Sequence, residues 1–149
     1  MSDEFVFPMG QYQARVPADR WYSDNHLWLQ PVERAYRVGL TAFSVRLLQD
    51  VYFLEWTVGA GSRVERRQEI GEIESSKALS SLYAPAAGRI LRFNDEVLDD
   101  PSLVNVDNYG RGWLFEFETD NAFLAAPEYL DLLKSVWPET QRLIKGQVT

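Results

Sequence analysis

The chain has no cysteine. Disulfides, thiol nucleophiles and zinc–cysteine sites are excluded, although the absence says nothing about compartment. Histidine is nearly absent: His26 stands alone, so no His–His metal pair and no second imidazole exist. Beside Trp28, it reads as a structural hydrogen bonder. Positive charge is scarce, with 15 Lys+Arg against 22 Asp+Glu and a formal net charge of −7. Without a basic stripe, nucleic acid is not expected as a partner. An acidic surface serves solubility, and it steers toward basic protein partners. No apolar run approaches the roughly 20 residues of a membrane span. The acidic start, Met1-Ser2-Asp3-Glu4, fits neither a signal nor a transit peptide. The expected location is cytoplasmic. A Gly-rich phosphate loop and an ordered Ser–His–Asp set are also missing, and Asp99–Asp100 reads as a helix end. No catalytic residue and no metal ligand are expected.

What is present suits one compact domain: 149 residues, 46% of them hydrophobic and 13% aromatic. Residues 1–20, with Pro8, Gly10 and Pro17, read as an irregular segment packed across the body through Phe5, Phe7 and Tyr12. Residues 21–149 read as a single domain without repeats or linkers. Trp28 and Leu29 open a strand, Gln30-Pro31 and Glu33-Arg34 turn the chain, and 35–40 alternates as a second strand. Thr41 caps a helix over 42–49. Residues 51–56 and 89–93 are β-prone, Gly59 and Gly61 mark a turn, and Asn94 caps a helical turn. Trp113, Phe115 and Phe117 alternate on a closing strand. Tyr129, Leu132, Leu133, Val136 and Trp137 recur at helical spacing up to Pro138, with a second short helix expected at 139–145. Many short strands with Gly and Pro turns give a mainly β fold, a sandwich or flattened barrel.

Residues 70–88 are the distinctive stretch. Two short strands meet at a turn in which Ser75 and Ser76 supply local hydrogen-bonding chemistry. Pro85 and Gly88 end the arm. Lys77 lies at the tip, and it is the only lysine before Lys134; every other cation in that interval is arginine. A primary amine can form an amide, whereas a guanidinium stays protonated and delocalised.

Glu74-Ser75-Ser76-Lys77-Ala78, then Tyr83-Ala84-Pro85 and Gly88, resembles the lipoylation hairpin of the glycine cleavage system H proteins. Other family-like pieces follow in order along roughly 24–118. They are His26-x-Trp28, Val38-Gly39-Leu40-Thr41, Leu103-Val104-Asn105 and Tyr109-Gly110-Arg111-Gly112-Trp113. The resemblance implies a biotinyl/lipoyl-type hybrid barrel-sandwich with short helices and a C-terminal helix. It implies lipoate on Lys77, with Glu74, Gly61 and Gly88 recognised by the lipoyl-attaching enzyme. It also implies a monomeric carrier that is not itself an enzyme. The implied partners are PLP-dependent glycine decarboxylase, aminomethyltransferase and dihydrolipoamide dehydrogenase. Ser76, Leu79, Ser81 and Asn108 depart from the usual valine, alanine, acidic residue and proline. These departures leave two alternatives open: an H-like carrier in lipoyl relay or sulfur oxidation, and an unlipoylated structural or regulatory homologue. Biotin is disfavoured, because Ser76 and Ala78 flank the lysine where biotin sites have methionines.

Overall fold

Leu27, Trp28 and Leu29 are consecutive and all buried. A strand achieves this only when both of its faces are covered. The computed structural model, which describes residues 4–148, shows what covers them. In chain order the elements are β1 (Glu4–Met9), β2 (Tyr12–Pro17), β3 (Trp21–Tyr22), β4 (Leu27–Val32), β5 (Ala35–Leu40), α1 (Ala42–Leu48), β6 (Val51–Trp56) and β7 (Arg63–Val64). Then come β8 (Glu69–Ser75), β9 (Leu79–Tyr83), β10 (Gly88–Phe93), α2 (Asp95–Asp99), α3 (Leu103–Val106), β11 (Phe115–Glu118) and α4 (Ala126–Val148).

A six-stranded sheet, ordered β3-β4-β5-β11-β10-β7, faces a three-stranded sheet, ordered β6-β8-β9. Between them lies the main core, where Leu27, Leu29, Val38, Ile90 and Phe117 meet Leu54, Ile70, Ile73 and Leu82. Trp28 points the other way, into a second core with Phe7, Val16, Phe43, Tyr129 and Leu133. This core fills the space between the large sheet and a layer made of β1, β2, α1 and α4. Trp28 pairs across the sheet with Gly39, where an added Cβ would come within 2.5 Å of the indole. The fold is mainly β, as the residue pattern implies.

Local signals place the helices. Thr41 Oγ1 accepts from the Ser44 amide at 3.4 Å, and Asn94 Oδ1 from the Glu96 amide at 3.2 Å. Two expectations need correction. Glu4–Met9 and Tyr12–Pro17 are a paired β-hairpin, not an irregular segment. Its inner face buries Phe7, Met9, Ala14 and Val16, and Pro8 is tolerated because β1 pairs on one side only. The C-terminal stripe is one helix, not two. Pro138 removes one backbone donor inside α4, yet Val136 and Trp137 stay docked on the second core, and Thr140 Oγ1 donates to the Val136 carbonyl at 3.0 Å. A smaller correction concerns Gln30-Pro31: both residues lie within β4, and the turn is confined to Glu33-Arg34.

His26 joins the layers. Its Nδ1 lies 2.9 Å from the Tyr129 hydroxyl, which also lies 2.9 Å from Thr41 Oγ1. Burial disfavours the imidazolium and pushes the His26 pKa down from 6.5 to about 4, against a small opposing pull from Asp24. The folded state therefore binds fewer protons than the unfolded chain between those values. Stability contributed by neutral His26 is complete above pH 6.5, falls as the pH drops through that window, and is lost below about 4. The shift corresponds to about 3 kcal/mol. Urea unfolding at pH 7, 5.5 and 4.5 should show the loss, and His26→Gln should flatten that part of the profile.

Candidate functional site

The tip that joins β8 to β9 is built by hydroxyl groups. Ser75 is buried, and its amide donates to the Ala78 carbonyl at 2.9 Å. Its Oγ accepts from the Lys77 amide at 3.3 Å and the Ala78 amide at 3.4 Å, closing the turn from within. Ser76 ties the tip sideways to the start of β6. Its amide donates to the Asp50 carbonyl at 2.9 Å, and its Oγ accepts from the Asp50 amide at 3.2 Å. The serine that departs from the usual valine is thus a structural brace. Lys77 projects from this braced tip, is exposed, and makes no salt bridge among the described residues. Its Nζ is free to react while its backbone is held.

Glu74 sits on the same hairpin, half-buried, and accepts a hydrogen bond from the Tyr52 hydroxyl at 3.2 Å. Gly61, just before β7, and Gly88, at the start of β10, lie on segments that pair with each other. The Gly61 amide donates to the Ile90 carbonyl at 2.7 Å, and Arg89 reaches the Gly61 carbonyl at 3.5 Å. They lie toward the other end of the sandwich from Lys77. Gly71, four residues back along β8 from Ser75, already pairs with Trp56, and the chain runs on from there to Gly61. Four strand residues alone span about 13 Å. Each glycine has a geometric reason of its own. Gly61 has φ +87°, and a Cβ on Gly88 would fall 2.4 Å from the Glu118 carbonyl oxygen and 2.6 Å from Phe117.

Sequence reasoning missed an apolar groove of about 240 Å³ beside the hairpin. Leu27, Leu40, Leu47, Leu48, Ile73 and Leu82 line it, with Asn25, three serines and Tyr83, and no charged side chain. Leu47 and Leu48 carried a visible signal, their apolar character on α1. No group of three or more His, Cys, Asp or Glu among the described residues could hold a metal ion. No helix among them is long and apolar enough to cross a membrane.

A rigid β-sandwich that offers one amine on a braced hairpin, next to an apolar groove, has the form of a swinging-arm carrier domain. The Glycine cleavage H-protein family profile matches residues 20–134, and the chain belongs to that family. A probable glycine cleavage system H protein from Natronomonas pharaonis is 46% identical over 118 residues, covering 76% of this chain and 93% of the relative. The glycine cleavage system H protein of Thermobifida fusca is 41% identical over 115 residues, covering 76% and 90%. A crystal structure of the Mycobacterium marinum glycine cleavage system H protein superposes with a TM-score of 0.70 at 35% identity, covering 78% of this chain and 97% of that one. The N-terminal hairpin and the end of α4 lie outside the family match.

Ser75→Ala leaves two tip amides without their acceptor and should cost about 1–2 kcal/mol. Amide exchange at Lys77 and Ala78 should quicken while β4 and β11 keep their protection. Gly88→Ala should cost about 2–4 kcal/mol, because the contact is with backbone that cannot swing away. Its urea midpoint should fall well below that of a Gly59→Ala control, where the added Cβ meets only the Ser62 hydroxyl oxygen at 4.0 Å.

Proposed function

We propose that this protein is the lipoyl carrier of a glycine cleavage system, with lipoate in amide linkage on Lys77 Nζ. The observation that carries the reading is the amine itself: one exposed lysine, without an ion-pair partner, on a hairpin tip locked by Ser75 and Ser76, within the H-protein fold. Lipoate fits these surroundings. Its short aliphatic chain and dithiolane are apolar, and the groove beside the hairpin is lined by leucine and isoleucine with no charge. Leu27, Leu47, Leu48 and Leu82 are the residues that would hold it.

When bound, the group would supply a reducible disulfide, one sulfur of which can carry a one-carbon unit while the other becomes a thiol. Lys77 Nζ forms the amide C–N bond as the acyl–phosphate C–O bond of an activated lipoyl donor breaks, AMP leaves, and two of the three protons of the ammonium pass to solvent. Ser75 and Ser76 hold the tip so that its position does not drift, and Glu74, three residues before the lysine, marks the hairpin for the attaching enzyme. Gly61 and Gly88 serve that recognition through the shape of the sandwich. The partners are glycine decarboxylase, aminomethyltransferase and dihydrolipoamide dehydrogenase, and the tether keeps the carried group at high effective concentration near each. The carrier contributes no catalytic side chain, works as a monomer, and shares the cytoplasm with these enzymes. Residues 21–149 act as the carrier domain, with the N-terminal hairpin packed against its back.

Incubation with a lipoate–protein ligase, ATP and lipoate should add one lipoyl-sized mass increment that maps to Lys77 and is absent from Lys77→Ala. The loaded protein should then support exchange of glycine carboxyl carbon with bicarbonate in the presence of glycine decarboxylase. No increment on a folded protein would sink the reading.

A further inference from the structure

The outer face of the three-stranded sheet is unlike the rest of the surface. In antiparallel pairs, directly opposed residues share a face. Phe53, Glu74 and Leu79 form one outward row next to the tip, and Glu55, Glu72 and Ser81 form the next. Tyr52 and Phe53 are 58% and 44% exposed, and Leu79 is 63% exposed. These three give an apolar patch beside Lys77.

The charge on this face is one-sided. Strands β6, β8 and β9 contain Glu55, Glu69, Glu72 and Glu74 but no lysine or arginine. None of the four carboxylates has a salt-bridge partner among the described residues. Glu55 and Glu72 stand directly opposite each other, an arrangement that disfavours the isolated sheet. The large sheet is built otherwise, since Glu116 there lies between Arg37 and Arg92. The only cation on the small sheet's hairpin is Lys77, whose charge amide formation removes.

We propose that this face docks the enzyme that acylates Lys77, and that the enzyme meets it with a lysine- and arginine-bearing rim around an apolar pocket. The inference rests on Lys77 being the attachment site. Reach argues for this occupant. An enzyme that makes a bond to Nζ must come within bonding distance of a side chain with only a four-carbon stem, so it must cover Tyr52, Phe53 and Leu79 as it does so. Apolar anchors at the centre with charge at the rim is the usual anatomy of such a contact. A cationic rim also relieves the opposed Glu55–Glu72 pair. The Tyr52 hydroxyl, bonded to Glu74 at 3.2 Å, holds that carboxylate at the edge of the patch.

The test is steady-state acylation by a purified lipoate–protein ligase with ATP and lipoate, varying the concentration of the full chain. Wild-type KM should rise with salt between about 50 and 500 mM, because a rim contact is screened. The pair Glu55→Lys and Glu72→Lys, made together, should raise KM about tenfold at low salt, abolish the salt dependence and leave kcat unchanged. Phe53→Ser should raise KM about threefold at every salt concentration. Asp131→Lys, on α4, makes half that charge change away from the face and should leave KM where it was. Thermal unfolding at the wild-type temperature ties these changes to docking. If wild type is acylated and KM stays within about twofold in both the Glu pair and Phe53→Ser, docking on this face is overturned while Lys77 remains the attachment site. If wild type is not acylated at all, both readings fall.

Discussion

The packing of Trp28 across Gly39 is the constraint on which the architecture depends. The indole needs the space that a Cβ at position 39 would take, and its Nε1 donates to the Asn108 carbonyl at 2.9 Å. Trp28 thereby covers the back of the large sheet while Leu27 and Leu29 pack the front. The sheet has no wet face at this point, so a second layer has something to pack on. The N-terminal hairpin, α1 and α4 supply that layer. Phe7 meets Trp137 edge-on at 6.0 Å, and Tyr22 stacks on Tyr129 at 4.6 Å. The front of the sheet is left to build the sandwich with β6, β8 and β9.

This division of labour suits a carrier. The lysine hairpin is two strands of a three-stranded sheet, too small to be stable alone, and it is held by the core shared with the large sheet. Helix α1 belongs to both layers. Phe43 packs into the second core, and Ser44, Leu47 and Leu48 line the groove beside the hairpin. Tyr109 ties β2 to the start of α1, accepting from the Ala42 amide at 3.0 Å and donating to the Arg15 carbonyl at 2.5 Å. The hairpin that lies outside the family match is therefore joined to the start of the groove-forming helix. The same body braces the hairpin tip and leaves Lys77 exposed.

Chemistry that acts over a few residues was legible from the chain. The turn hydroxyls of Ser75 and Ser76 and the caps Thr41 and Asn94 are local in sequence, so their roles follow from residue type and spacing. Ser76 shows the limit. Its turn chemistry was readable, but its bond to Asp50, 26 residues away, was not. The N-terminal segment looked irregular because Pro8 and Gly10 are usual loop signals. Its alternation, with Phe5, Phe7 and Met9 on one face and Glu4, Val6 and Pro8 on the other, was the better guide, once a surface existed for that face to cover. Pro138 misled for a related reason. Proline weakens a helix locally, and docking of Val136 and Trp137 outweighs that weakness.

By itself, the sequence determined that one lysine stands alone at a hairpin tip, which residues cap α1 and α2, and that 35–40, 51–56 and 89–93 are strand-forming runs. Each of these depends on interactions between near neighbours, whose geometry the backbone sets. The tertiary structure alone decided that Trp28 and Leu29 face different cores, that α1 closes an apolar groove, and that the Gly61 amide bonds to Ile90, two residues beyond Gly88. It also decided that four glutamates share one uncompensated face. These facts depend on register and on contacts between residues distant in the chain, and a one-residue shift in pairing would have moved every such side chain to the other face.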